Sequence, residues 1–275
     1  MKFPHKFSAN RTKNLEKINK QRGKYPDIVK KMIKICDVIL EVLDARFIEE
    51  TRNEKVEKQI KKQGKKLVYV LNKADLVDKR KIKLNKEITP AVFVSCKFRK
   101  GSGLLRDAIR DAVESRNTNY ARAHVGIIGY PNTGKSSLIN FLTGKKSART
   151  AHEAGFTKGV QKIRLSKNIL LLDTPGVISE EHYSMSDSEK IIKQVKIGAR
   201  NSEDVKEPEM ILDKLMKEYS KQMEKFYGIC ADGDTEVLIE KLGRQKKFLA
   251  KGGIVDVDKT ARLVLRDWQR GRIRV

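Results

Sequence analysis

Acidic residues are scarce in this chain of 275 residues. Against 60 Lys and Arg stand 35 Asp and Glu, a formal charge of +25 with a sequence pI near 9.9. The shortage is not uniform along the chain. Residues 1–24 hold eight basic residues against Glu16 alone, and residues 241–275 hold eleven against three. Ion pairing cannot neutralise such stretches, so the surface attracts polyanions. Cysteine is also sparse. Cys36, Cys96 and Cys230 are odd in number and widely spaced, which argues against a disulfide framework and a zinc site. A reducing compartment, the cytoplasm, is expected. No apolar run approaches the ~18 residues of a membrane span; the densest, VILEVL at 38–43 and ILLL at 169–172, have strand length. The opening MKFPHKFSANRTK lacks an apolar core, so no secretory signal is expected. No strong apolar face with Trp or Phe accompanies the basic run at 1–24, which favours nucleic acid over an anionic membrane.

What the chain does have is regular alternation. Residues 1–24 read as a basic arm with a short helix at 11–22. PDIVKKMIKI is an amphipathic helix with Pro26 and Asp27 at its start, followed by the strand DVILEVLD. A helix at 54–63, the strand KKLVYVLN, a helix at 78–87, the strand AVFVS and a helix from 103 follow. RNTNYAR (116–122) reads as a linker. AHVGIIG is a new strand leading to a helix at 135–143, and VQKIRL and NILLLD complete the sheet. The pattern predicts an α/β fold, a doubly wound and mostly parallel sheet spanning 25–185. Beyond residue 186 strand signals fade. EKIIKQVKIG, PEMILDKLMKEYSKQMEKFYG, TEVLIEKLGRQKKFLA and DKTARLVLRDWQRG predict a small all-α domain over 186–275.

Gly129-Tyr-Pro-Asn-Thr-Gly134-Lys135-Ser136 satisfies the phosphate-loop pattern and lies between a strand and a helix. Phosphate oxygens need converging N–H donors, which Asn132, Thr133, Gly134, Lys135, Ser136 and Ser137 would supply over a helix N-terminus. Lys135 would reach the β- and γ-phosphates, and the Ser136 hydroxyl would hold Mg²⁺. Asp173-Thr-Pro-Gly176 follows a buried strand; Asp173 suits the metal-side acid, and the Gly176 N–H suits the terminal phosphate. Thr157 in AGFTKG is the natural switch threonine, closing on Mg²⁺ and the γ-phosphate. Asn72-Lys73-Ala74-Asp75 follows a strand. An aspartate can accept both N1–H and N2–H of guanine, which adenine cannot offer; Lys73 can cover the base, and Asn72 can brace the loop. Ser95-Cys96-Lys97 follows the next strand and resembles the Ser-Ala-Lys element of such sites, which implies a main-chain N–H reading guanine O6. Together these select GTP and GDP.

The order of these elements is shifted: base, base, phosphate loop, switch, metal acid. A fold tolerates such a shift when its ends lie close, since a short linker costs little entropy. That order, with LDAR at 43–46, NKADLV, GYPNTGKSSLIN, DTPGV and LRDWQRGRI, resembles the circularly permuted ribosome-biogenesis GTPases of the YlqF/YawG type over residues 27–275. The stretch IKIGARNSEDVKEPE resembles that family's hinge into its helical domain. The resemblance implies a circularly permuted P-loop G domain and GTP hydrolysis coupled to assembly of the large ribosomal subunit. It implies rRNA and the precursor particle as partners, and the lack of an apolar span or face leads us to expect no membrane. A monomer is expected. Bacterial members carry Phe-Pro-Gly-His-Met with a histidine linked to hydrolysis; here Phe3-Pro4-His5 lacks the glycine, and His5 reads as a solvated residue.

After DTPG, Val177 stands where a self-sufficient hydrolase places a water-orienting glutamine. Hydrolysis alone should be slow and should draw on a partner or on K⁺, whose position in related GTPases Asn132 matches. In the segment 258–271, Ala261, Val264, Leu265 and Trp268 share one side, a core face. Arg262, Arg266 and Arg270 recur every four residues on another and are candidate RNA contacts. The competing readings are an RNA-binding scaffold that holds GTP structurally, and a GTPase for another task such as tRNA modification.

Overall fold

The computed structural model describes residues 25–116, 122–144, 161–173 and 188–275. The first part is a six-stranded sheet. Helix α1 (Tyr25–Ile35) leads into β1 (Val38–Asp44); α2 (Ile48–Thr51), α3 (Glu54–Lys62), β2 (Lys66–Asn72) and β3 (Ala91–Phe93) follow. Then come α4 (Ser102–Glu114), β4 (Ala123–Ile128), α5 (Lys135–Thr143), β5 (Gln161–Arg164) and β6 (Ile169–Asp173). The strand order is β3-β2-β1-β4-β6-β5, parallel throughout except that β5 runs against β6.

Alternation along β1 shows why the sheet is covered on both faces. Val38, Leu40 and Val42 pack with Leu105 and Ile109 of α4 and Leu138 of α5. Ile39 and Leu43 point to the other side, with Met32 and Ile33 of α1 and Ile60 of α3. Each such fully buried side chain contributes about 1.5–3 kcal/mol.

The helix expected at 78–87 is absent. Short 3₁₀ turns occupy Ala74–Leu76 and Lys79–Lys81, and the Asp78 side chain accepts from Arg80 N. The only apolar residues of that stretch, Ile82 and Leu84, are two apart, an extended rather than helical period, and they alternate with exposed neighbours.

Past residue 188 lie α6 (Ser188–Lys196), α7 (Pro208–Tyr227), α8 (Thr235–Gln245) and α9 (Val257–Gln269). Asp234 and Asp256 cap α8 and α9 by accepting main-chain N–H bonds, each cap worth about 1 kcal/mol. Helix α8 stops at Gln245 rather than running to 250, because Lys247 turns left-handed (φ 56°) and Leu249 pairs with Val255. The core of this helical unit centres on Trp268 and admits two residues from the sheet part, Phe47 and Tyr130. Among the described residues no helix is long and apolar enough to cross a membrane.

Candidate nucleotide site

The parallel strands end along one edge, and the motif loops leave from it. Asp44, the last residue of β1, stands in register with Asn72, the last of β2, while β4 sets Ile127 beside Asp173 of β6. Open sheets of this kind bind ligands beyond the carboxyl ends of the strands, where the order reverses; here that is between β1 and β4.

Asn72 joins three loops. Its Nδ2 donates to Thr133 O at 2.8 Å, and its Oδ1 accepts from Cys96 N at 3.4 Å, spanning 61 and 24 residues of sequence. The side chain is buried, so orphaning those groups would cost about 1–3 kcal/mol. Gly134 closes the junction. Its φ is +98°, and a Cβ there would run into Asn72 Nδ2, so only glycine fits.

In the base loop, Lys73 adopts a left-handed conformation (φ 61°), and Ala74 N donates to Val94 O at 3.0 Å. Ser95 Oγ accepts from Phe98 N at 3.2 Å and donates to Asp75 Oδ1 at 2.6 Å. The hydroxyl proton is thereby committed to Asp75, whose Oδ2 stays available as an acceptor. Burial, with the nearby Asp75 charge, pushes the Cys96 thiol up to about 12, so it remains a neutral thiol. Lys97 is exposed, its Nζ 5.3 Å from the centre of the Phe98 ring.

In the phosphate loop, Thr133 Oγ1 donates to Tyr130 O at 2.9 Å. Lys135 Nζ folds over the loop and donates to Gly129 O at 3.0 Å and Tyr130 O at 2.7 Å. Ser136 and Ser137 are half-buried in the first turn of α5, where main-chain N–H groups have no helical acceptor. Asn132 (φ 60°) sends its Nδ2 to Gly198 O at 2.9 Å, a bond into the helical unit. Asp173 ends β6 at this edge by its main chain. Thr157, Gly176, Val177 and His5 lie outside the described residues.

Two further groups complete the edge. Asp44 Oδ2 accepts from Lys73 Nζ at 2.7 Å and from Arg46 Nη2 at 2.8 Å, and Oδ1 accepts from Arg46 Nε at 3.0 Å. Burial alone would raise this carboxyl, but Lys73 and Arg46 outweigh it and hold it well below the usual carboxylate range. Under the phosphate loop, Glu41 is fully buried and accepts from Asn53 N at 2.9 Å. Burial, followed by the Glu57 charge, pushes Glu41 well above its ordinary range, so it stays a neutral acid.

The arginines of α9 separate into two kinds. Arg262 is turned inward, donating to Ser202 O at 2.8 Å, Val205 O at 2.9 Å and the Asp258 carboxylate. It clamps the 202–205 turn onto α9 and has no fork left for a phosphate, which corrects its expected RNA contact. Arg266 is 40% exposed and stands 3.5 Å from Glu203, and Arg270 is exposed. Trp268 is wholly buried, as its helical spacing predicts, with Nε1 donating to Lys196 O at 2.9 Å.

Residues 124–232 match the family described as 50S ribosome-binding GTPase. An uncharacterized GTP-binding protein of Methanocaldococcus jannaschii is 43% identical over 252 residues, which cover 90% of this chain and 65% of that protein. Nucleolar GTP-binding protein 2 of Saccharomyces cerevisiae is 38% identical over 252 residues, covering 88% of this chain and 51% of its own length. The chain therefore spans less than two-thirds of either relative. Among solved structures, GNP-bound YlqF from T. maritima superimposes with a TM-score of 0.65 at 22% identity, covering 91% of this chain and 95% of that one. Sheet order and loop placement define the class, a P-loop GTPase fold whose chain is circularly permuted. The likeness to YlqF is one of fold, and the match over 124–232 places the GTPase domain in that part of the chain.

Proposed function

We propose that the chain binds GTP and GDP at this sheet edge, hydrolyses GTP slowly, and serves as a switch on precursors of the large ribosomal subunit. The observation that carries the reading is the Asn72 amide, which draws the base loop, the Ser95–Lys97 loop and the phosphate loop onto one volume. Asp75 would accept the guanine N1–H and N2–H, Lys73 would cover the base, and the main chain at Cys96 would meet O6. The Asn132–Ser137 amides and Lys135 would hold the phosphates, with the α5 N-terminus favouring negative charge. Ser136, Thr157 and Asp173 would hold Mg²⁺, which neutralises charge on the transferred phosphoryl group. Asn132 gives its amide N–H to Gly198, and its Oδ1 would remain to hold K⁺. The Gly176 N–H would contact the terminal phosphate. Val177 cannot orient a water, so the chain's own rate is low.

Three things support the ribosomal partner: a surface of net charge +25, the 50S ribosome-binding description of the matched family, and the nucleolar name of a relative. On this reading 25–185 is the permuted G domain and 186–275 the RNA-contacting domain, with Arg266 and Arg270 as its phosphate contacts. The test is GTP turnover in Na⁺ or K⁺, with and without large ribosomal subunits. Slow turnover in Na⁺ that rises with K⁺ and with subunits is expected. A rate that neither changes would contradict the switch and favour a scaffold holding GTP structurally.

A further inference from the structure

The sequence motif Asp44-Ala45-Arg46 has no place in phosphate or base recognition, yet it is almost wholly buried at the edge of the site. Side-chain exposure is 0% for Asp44 and 1% for Arg46. On one side Asp44 grips Lys73 Nζ at 2.7 Å, and Lys73 keeps only 21% of its side-chain surface. On the other side the Arg46 fork spans both Asp44 oxygens, and its remaining Nη1 donates to Trp268 O at 3.0 Å. Trp268 is in the last turn of α9, where a cation is favoured, and its carbonyl also accepts from Gly271 N at 3.0 Å. The guanidinium also lies 4.9 Å from the Phe47 ring centre and 5.9 Å from that of Trp268. An unbroken chain of charged hydrogen bonds thus runs from the base loop to the end of α9. Nearby, Val275 N donates to Leu76 O at 3.2 Å, and Gly271 abuts Leu76 so closely that a Cβ would collide with it.

We propose that Asp44 and Arg46 are positioning residues that couple guanine-nucleotide occupancy to the seating of α9 on the sheet domain. The proposal rests on the nucleotide reading of this edge. With α9 seated, Arg46 is anchored to Trp268 O, Asp44 is fixed, and Lys73 is held where its stem can cover the base. With α9 displaced, Arg46 loses its anchor and Asp44 no longer has a fixed position from which to hold Lys73. A nucleotide that uses Lys73 therefore binds the seated arrangement better, and by linkage it strengthens the seating. Because α9 also bears Arg266 and Arg270, the seated helix fixes where those exposed guanidinium groups stand relative to the nucleotide.

The experiment uses the full chain and GDP. Hydrogen exchange at the α9 amides is followed with and without saturating GDP, and GDP affinity is measured for the wild type and for Arg46→Lys. The lysine keeps the charge opposite Asp44 but cannot bridge it to Trp268 O. In the wild type, GDP should slow exchange along Val257–Gln269. In Arg46→Lys the affinity should fall at least about fivefold, and the GDP-dependent slowing should disappear. A purely structural role would lower stability equally with and without GDP. Wild-type chain that binds GDP while α9 exchange stays unchanged would overturn the coupling whatever the variant does, and so would a variant with wild-type affinity and slowing. Failure of the wild type to bind GDP at all would overturn the nucleotide reading, and this coupling with it.

Discussion

The sheet domain and the helical unit hold themselves together differently. Around the sheet, two apolar clusters separated by the strands lock each loop root in place, and the polar groups that matter gather at one edge. The helical unit has one core, and its largest fully buried side chain, Trp268, touches Tyr219 of α7 and Phe47 of the sheet domain with ring centres 4.7 and 5.8 Å apart. The sheet domain presents its chemistry from fixed strand ends. The helical unit presents surfaces carried on a core that it shares with Phe47 and Tyr130 of the sheet domain. The proposed switch would use this asymmetry, with base reading assigned to the strand ends and movement to the helical unit.

The largest effect that would break the comparison comes from the shared core. Trp268→Ala should cost about 3–5 kcal/mol, read from denaturant unfolding. A loss under about 1 kcal/mol would mean that the helical unit does not depend on this ring. A smaller effect sharpens the distinction within α9. Arg262→Ala orphans the carbonyls of Ser202 and Val205 and should lower stability by about 1–3 kcal/mol. Arg270→Ala should leave stability within about 0.5 kcal/mol but reduce the salt dependence of rRNA binding by about one counterion. Equal stability losses at the two positions would contradict the division into an inward clamp and an outward contact.

These contrasts also mark what could be read in the sequence. The meeting of the loops at 72–75, 95–97 and 129–136 was legible because the chemistry proposed for them demands particular residue types: a lysine, a hydroxyl, an aspartate, and a glycine where Asn72 leaves no room for a Cβ. Trp268 was legible because helical spacing put it on an apolar face. The stretch 78–87 was misread, since charge density and length imitate a helix while Ile82 and Leu84 keep an extended period. Arg262 was misread for a different reason. Spacing along α9 gives its side, but the turn that covers it lies some sixty residues earlier and carries no pattern tying it to α9. The role of Asp44 and Arg46 was hidden for the same cause, Trp268 being 222 residues from Arg46 in sequence.

The most direct measurement concerns Asp75. Ser95, oriented by Phe98 N, donates to Asp75 Oδ1. In Asp75→Asn that bond would hold the amide oxygen toward Ser95 and turn the amide nitrogen, a donor, toward the base. Calorimetric titration with GTP and with xanthosine triphosphate should show GTP weakened by at least about tenfold, one lost buried polar contact, and the xanthine nucleotide gaining in its place. If the variant binds GTP as tightly as the wild type, Asp75 does not read guanine, and the loops at 72–75, 95–97 and 129–136 do not form one nucleotide site.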